Sequence, residues 1–180
     1  DGKAANAFFQ IADLIKNNPE NLDYLFLYAK MCNQVNKLDE SEKASLFLVS
    51  KNKNSVDYLH NLYSVYIKKN NFNKSEIFIK KLLKINSDHY EAQRDLGYLE
   101  YQKNNIDNAK IILEKIVNEK TNDPFALNIL GLIFLKKELI DKAKKLFNKA
   151  LIVNPKYIDS YNNLGNVYFN LEDLDKAYIL

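Results

Sequence analysis

Between residues 124 and 153 the apolar positions fall into two helical stripes separated by a polar break. Leu127, Leu130, Phe134 and Leu135 follow Pro124 at three- and four-residue spacing, and Ala143, Leu146, Phe147, Ala150 and Leu151 repeat the pattern. Asp123 ahead of Pro124 predicts a capped first turn, because its carboxylate can accept from an unsatisfied amide while proline presets φ. Asp141 is read in the same way as the cap of the second helix, which should end before Asn154-Pro155. The predicted element is an antiparallel helix pair, A followed by B.

The same pair recurs along the chain with a period of 34. Gly97, Gly131 and Gly165 keep that step, as do Leu62, Leu96, Leu130 and Leu164, and the six small residues Ala7, Ser41, Ser75, Ala109, Ala143 and Ala177. Asp39, Asn73, Asp107, Asp141 and Asp175 are in phase as expected N-caps, and Pro19 and Pro155 lie four periods apart. Such a period means stacked units, each too small to bury its apolar face alone. Helices A are expected over 22–35, 56–69, 90–103, 124–137 and 158–171. Helices B are expected over 39–52, 73–86, 107–119 and 141–153, with a further one over 3–17. Residues 1–180 thus read as one all-α solenoid segment: full repeats 22–55, 56–89, 90–123 and 124–157, with partial repeats 1–21 and 158–180 at the ends. The glycines on helix A and the small residue on helix B should let the two helices approach closely. The apolar Tyr178, Ile179 and Leu180 predict end-to-end self-association or a longer stack.

Composition narrows the function. A chain that is 47% hydrophobic and 27% charged folds, and a net charge of +3 is too small for nucleic-acid binding driven by a basic field. Charges or amides interrupt every apolar stretch, so no membrane insertion is expected, and a soluble chain is predicted with the cytoplasm slightly favoured. Cys32 is the single cysteine, and His60 and His89 are the two histidines, so neither a disulfide framework nor a metal or other cofactor is expected. Phosphate-binding glycine motifs, nucleophile elbows and zinc-protease motifs are missing, and the sequence predicts no enzyme within these residues.

The stretch Asn154-Pro155-Lys156-Tyr157-Ile158-Asp159-Ser160-Tyr161-Asn162-Asn163-Leu164-Gly165-Asn166-Val167-Tyr168 resembles the tetratricopeptide repeat, with Tyr161, Leu164, Gly165, Tyr168 and then Ala177 at the family's places. The preceding unit matches through Leu127, Leu130, Gly131, Phe134, Ala143, Phe147, Ala150 and Pro155. The resemblance implies a right-handed superhelix whose helices A line a concave groove. Three departures carry expectations of their own. Tyr63 replaces the small residue of helix A and predicts local splaying. Glu100 replaces a buried aromatic, so that helix is expected to turn and bury Leu99 or Tyr101 instead. Cys32 falls in the place of Glu100 two units earlier and reads as a small core hydrophobe, while His60 reads as a surface residue with no second imidazole at ligand spacing.

The resemblance also supplies two tests of ligand class. The lysine, asparagine and arginine places of the family's clamp for C-terminal carboxylates are not kept: starting from the 22 unit they hold Phe26, Lys30, Asn61, Glu91 and Asp95, whose acids would repel such a tail. Asn163 and Asn166 resemble the groove asparagines of O-linked N-acetylglucosamine transferase, but Ile129, Asp95, Asn61 and Leu27 occupy the earlier places and break the ladder. The expected function is a non-catalytic protein-interaction scaffold that binds an extended peptide or helix. The alternatives are the substrate-recruiting region of a larger glycosyl- or sulfotransferase and a component of a cell-envelope or secretion assembly. The groove residues expected from family geometry are Tyr98, Tyr101, Phe125, Ile129, Leu132, Leu135 and Phe169, with Arg94, Asp95, Asn128, Asn162, Asn163 and Asn166 orienting the ligand.

Overall fold

The computed structural model describes residues 2–18, 20–119 and 122–172, with side chains from Phe9 onward. Among these the structure is all helical. The chain falls into two compact units, Asp1–Ala92 and Gln93–Leu180, whose boundary lies inside one helix. The first contains α1 (Gly2–Asn17), α2 (Leu22–Gln34), α3 (Leu38–Lys51), α4 (Val56–Lys68) and α5 (Phe72–Ile85). α6 (Tyr90–Gln102) crosses the boundary, and the second unit continues with α7 (Ile106–Glu119), α8 (Pro124–Lys136), α9 (Ile140–Val153) and α10 (Ile158–Asn170). Within each unit, consecutive helices pack on one another. The expected features at Ala7, Pro19 and residues 173–180, including the cap Asp175, Ala177 and the apolar Tyr178, Ile179 and Leu180, lie outside the described residues or side chains.

Helix A and helix B meet where the sequence is small. Ser41 donates its hydroxyl to the Ala29 carbonyl at 2.7 Å, and Ser75 donates to the Tyr63 carbonyl at 3.0 Å. An ideal Cβ on Gly97 would lie 2.8 Å from Leu113 Cγ, and one on Gly131 would lie 2.5 Å from Phe147 Cε1. Tyr63 therefore does not splay its pair. The Ser75 bond holds the backbones together, and the tyrosine ring is fully buried, stacked on His60 with centroids 5.0 Å apart. Leu59, Leu62, Leu82, Leu113, Leu127 and Phe147 are likewise sealed from water, each burial contributing about 1.5–3 kcal/mol.

Helices B begin one residue earlier than expected. α3, α5 and α9 start at Leu38, Phe72 and Ile140, so Lys37, Asn71 and Leu139 hold the cap places, and only Asn71 supplies a side-chain cap, accepting from Lys74 N–H at 3.2 Å. Asp39, Asn73, Asp107 and Asp141 sit inside the first turn instead, where a carboxylate still favours the positive end of the helix dipole. Turn geometry is the cause. Asn36, Asn70, Asn104, Glu138 and Glu172 all have φ between 55° and 63°, one at each A-to-B turn and 34 residues apart. Each of the first four is followed by an amide bonded five residues back, from Lys37 to Cys32 O, Asn71 to Tyr66 O, Asn105 to Glu100 O and Leu139 to Phe134 O, at 2.8–2.9 Å. This left-handed closure leaves three residues between the end of one helix and the start of the next.

Glu100 remains in the buried place it was expected to vacate. Leu99 is buried as well, and the carboxylate keeps its position because Asn105 Nδ2 donates to Oε2 at 3.0 Å. Cys32 is fully buried, and burial pushes its thiol above the usual range.

Candidate functional site

In the second unit, helices α8 and α10 frame a pocket of about 390 Å³ lined by Leu132, Leu135, Glu138, Ile140, Asn163, Asn166, Val167 and Asn170. α8 contributes Leu132 and Leu135, three residues apart on one face. α10 contributes Asn163, Asn166 and Asn170 on another, so an apolar wall faces a row of amides. Of the residues expected in the groove, Leu132, Leu135, Asn163 and Asn166 come together here. Asn128 lies beneath them, 3% exposed, and its Oδ1 accepts from both Ser160 Oγ and Asn163 Nδ2 at 2.9 Å. That bond fixes the Asn163 amide. Ile129 is buried in the packing, while Asn162 is exposed and Phe169 is 65% exposed, both outside the pocket lining.

The other expected groove residues form a second cluster. Arg94 Nε donates to Asp95 Oδ1 at 2.8 Å, Nη2 stands 2.7 Å from the same oxygen, and Nη1 donates to Asp123 Oδ2 at 3.2 Å. The guanidinium also lies over the Phe125 ring, 5.1 Å from its centroid, and Tyr98 meets Phe125 edge-on at 5.3 Å. Asp123 caps α8 through Ala126 N–H at 3.0 Å, as expected for its place before Pro124. Arg94 is thus committed to both Asp95 and Asp123, the latter placed by sequence reasoning as a cap alone. The half-buried Tyr98 and Tyr101 hydroxyls are both pushed up by burial and stay protonated donors; Lys136 sits 4.8 Å above the Tyr101 ring.

The first unit holds a pocket of about 370 Å³ that sequence reasoning missed, between α2 and α4. Its floor is a buried amide and hydroxyl network. Asn33 Nδ2 donates to Asn61 Oδ1 at 3.2 Å and to Ser64 Oγ at 2.7 Å, and Asn61 Nδ2 donates to Ser45 Oγ at 2.8 Å. Lys68 caps the Asn33 carbonyl at 2.6 Å. The clamp comparison drew attention to Phe26, Lys30 and Asn61, which do line this pocket, but Asn33 carried no signal in a chain so rich in asparagine. His60 lines it too. Contrary to the sequence reading, a second imidazole stands beside it: His89 meets the His60 ring edge-on, centroids 5.2 Å apart. The His89 Nδ1 atom accepts from Ala92 N–H at 3.2 Å, starting α6. Among the described residues no three His, Cys, Asp or Glu side chains gather as a metal site, and no helix is long and apolar enough to cross a membrane.

Family models described as tetratricopeptide repeat match residues 56–89, 126–157 and 146–178. No curated protein sequence matches the chain. Solved structures do match in fold. The APC/C hetero-tetramer Cut9-Hcn1 superposes with a TM-score of 0.86 at 20% identity over 96% of this chain and 35% of that one. A tetratricopeptide repeat protein from Parabacteroides merdae gives 0.77 at 20% identity, over 99% of this chain and 71% of that one. YrrB, a TPR protein with an unusual peptide-binding site, gives 0.65 at 19% identity, over 93% and 86%. With helix pairs in 34-residue phase, small residues at each helix crossing and family models matching three stretches, this chain is a tetratricopeptide repeat protein.

Proposed function

We propose that the chain is a non-catalytic interaction scaffold that holds an extended segment or helix of a partner protein against the helix-A faces of its second unit. The observation that carries this reading is the α8–α10 pocket. Leu132, Leu135 and Val167 offer an apolar seat for a side chain, and Asn163, Asn166 and Asn170 stand where an extended main chain would need donors and acceptors together. Repeat proteins of this family are generally interaction modules, and the peptide-binding site named for YrrB supports the same use of the fold here. Arg94 and Asp95 play a supporting part, bracing the start of α8 rather than meeting the ligand.

The experiment is Leu132→Glu in the 180-residue chain. Loss of a partner bound by the wild type, with helical content unchanged by circular dichroism, supports the pocket. Unchanged partner binding overturns it. Asn166→Ala should weaken the same interaction by a smaller factor, because one amide among three is removed.

A further inference from the structure

The α8–α10 pocket is uncharged apart from one residue, Glu138. That residue occupies the left-handed place of its turn, φ 59°, where the equivalent turns at 36, 70 and 104 carry asparagine. A branched or long side chain is disfavoured there, and asparagine is the better-tolerated polar choice. The lysines that could neutralise Glu138 are turned away. Lys136 donates to Asn104 Oδ1 at 3.2 Å and lies over Tyr101, while Lys137 pairs with Asp107 at 2.6 Å. On the following helix, Lys144 pairs with Asp141 at 3.3 Å and Lys142 lies over Phe134. Among the described residues no cation pairs with Glu138, which is the single charged group in the pocket's lining.

We propose that Glu138 makes this pocket selective for partner segments in which a lysine or arginine stands next to an apolar side chain. The inference rests on the reading of this pocket as the peptide-binding surface. The apolar side chain would seat between Leu132, Leu135 and Val167, the amides of α10 would hold the main chain, and the neighbouring cation would meet the Glu138 carboxylate. An acidic neighbour would meet like charge at the same edge. Selectivity comes from both, since a wrong partner is rejected by repulsion as well as by a lost attraction.

The test is a nitrogen-15 NMR titration of the 180-residue chain with three capped tetrapeptides, acetyl-Gly-Leu-X-Gly-amide, in which X is lysine, glutamine or glutamate. The readout is the side-chain amides of Asn163, Asn166 and Asn170. The lysine peptide should bind up to about fivefold more tightly than the glutamine peptide, as an exposed ion pair allows, and the glutamate peptide should bind weakest. The preference should fade as salt is raised. Glu138→Asn, which suits the turn as asparagine does at 36, 70 and 104, should erase the preference by bringing the three peptides to equal affinity. The same substitution should raise the thermal midpoint by about 2 °C, showing that the fold is intact.

Equal binding of all three peptides by the wild type overturns the role of Glu138 while leaving the pocket as the binding surface. A lysine preference that survives Glu138→Asn also overturns it. Binding of the lysine peptide that survives Leu132→Glu shows attachment elsewhere and overturns it too. If none of the peptides perturbs the amides, both this inference and the reading of the pocket fall.

Discussion

Gly131 lies so close to Phe147 that a methyl group on the glycine would sit 2.5 Å from the ring edge. Phe147 is itself fully buried on α9, so the ring cannot swing into solvent to make room. The glycine on helix A is therefore a condition of the α8–α9 crossing.

Gly131→Ala should destabilise the chain by about 1–3 kcal/mol, the usual cost of overpacking a sealed contact. Gly165→Ala should do the opposite. Among the described residues outside its own helix backbone, no atom lies within 4 Å of its ideal Cβ, and replacing a glycine inside a helix gains roughly 0.5–1 kcal/mol. Urea denaturation of both variants checks the pair; equal losses would show that the two glycines serve the same purpose.

Arg94 holds two carboxylates, Asp95 and Asp123, whose side chains are only 10% and 11% exposed. Arg94→Met should cost roughly 3 kcal/mol, since it removes the cation shared by two largely buried carboxylates, whereas Arg94→Lys, which keeps the charge but loses the fork, should cost about 1 kcal/mol. Chemical denaturation at neutral pH measures both. A methionine variant as stable as the wild type would mean that the bracket contributes nothing.

In the first unit, Lys69 bonds Asp39 at 2.7 Å and also Glu42, and both carboxyls are held below their ordinary range chiefly by those hydrogen bonds. Groups whose folded pKa is depressed stabilise the fold above about pH 4–4.5, the unfolded carboxyl range, and lose that contribution as pH falls through the lower folded values. The difference in urea midpoint between wild type and Lys69→Met should therefore be largest near neutrality and shrink as pH falls below about 4. A gap independent of pH would assign the loss to packing of the lysine stem.

At the alkaline end, burial first and the bond to Glu42 second push the Tyr66 hydroxyl up to about 12. A folded pKa above the unfolded value near 10 gives stability that is present below that value and lost as pH rises toward the folded one. Tyr66→Phe should flatten the loss of stability between about pH 10 and 12. An unchanged alkaline limb would show that Tyr66 does not titrate with unfolding.

Helix extents were legible because the period is written in scarce residues. Three of the four glycines and a row of small residues in step leave little freedom for where α4 or α8 begins. The caps were misplaced because aspartate is welcome both at a cap and in the first turn, so Asp39 and Asp141 looked alike in either place. The left-handed turns escaped notice because asparagine is common throughout this chain and glutamate at φ 59° has no sequence signature. In the candidate site, Leu132, Leu135, Asn163 and Asn166 could be placed by helical geometry. The commitments of Arg94 to Asp123 and of Asn33 to Asn61, 29 and 28 residues apart, depend on how neighbouring pairs stack, which one-dimensional periodicity does not specify.

Lys69 reaches back 30 residues to Asp39, and Lys137 reaches back the same distance to Asp107; Lys68 to Asn33 and Asn163 to Asn128 each span 35. Links of this reach join a helix pair only to its neighbour in sequence. The gain or loss of one whole 34-residue module then leaves the remaining neighbours with partners of the same kind, whereas an insertion of any other length breaks the phase of every link that spans it. The array is built to change length in fixed increments, with no redesign of the modules that stay.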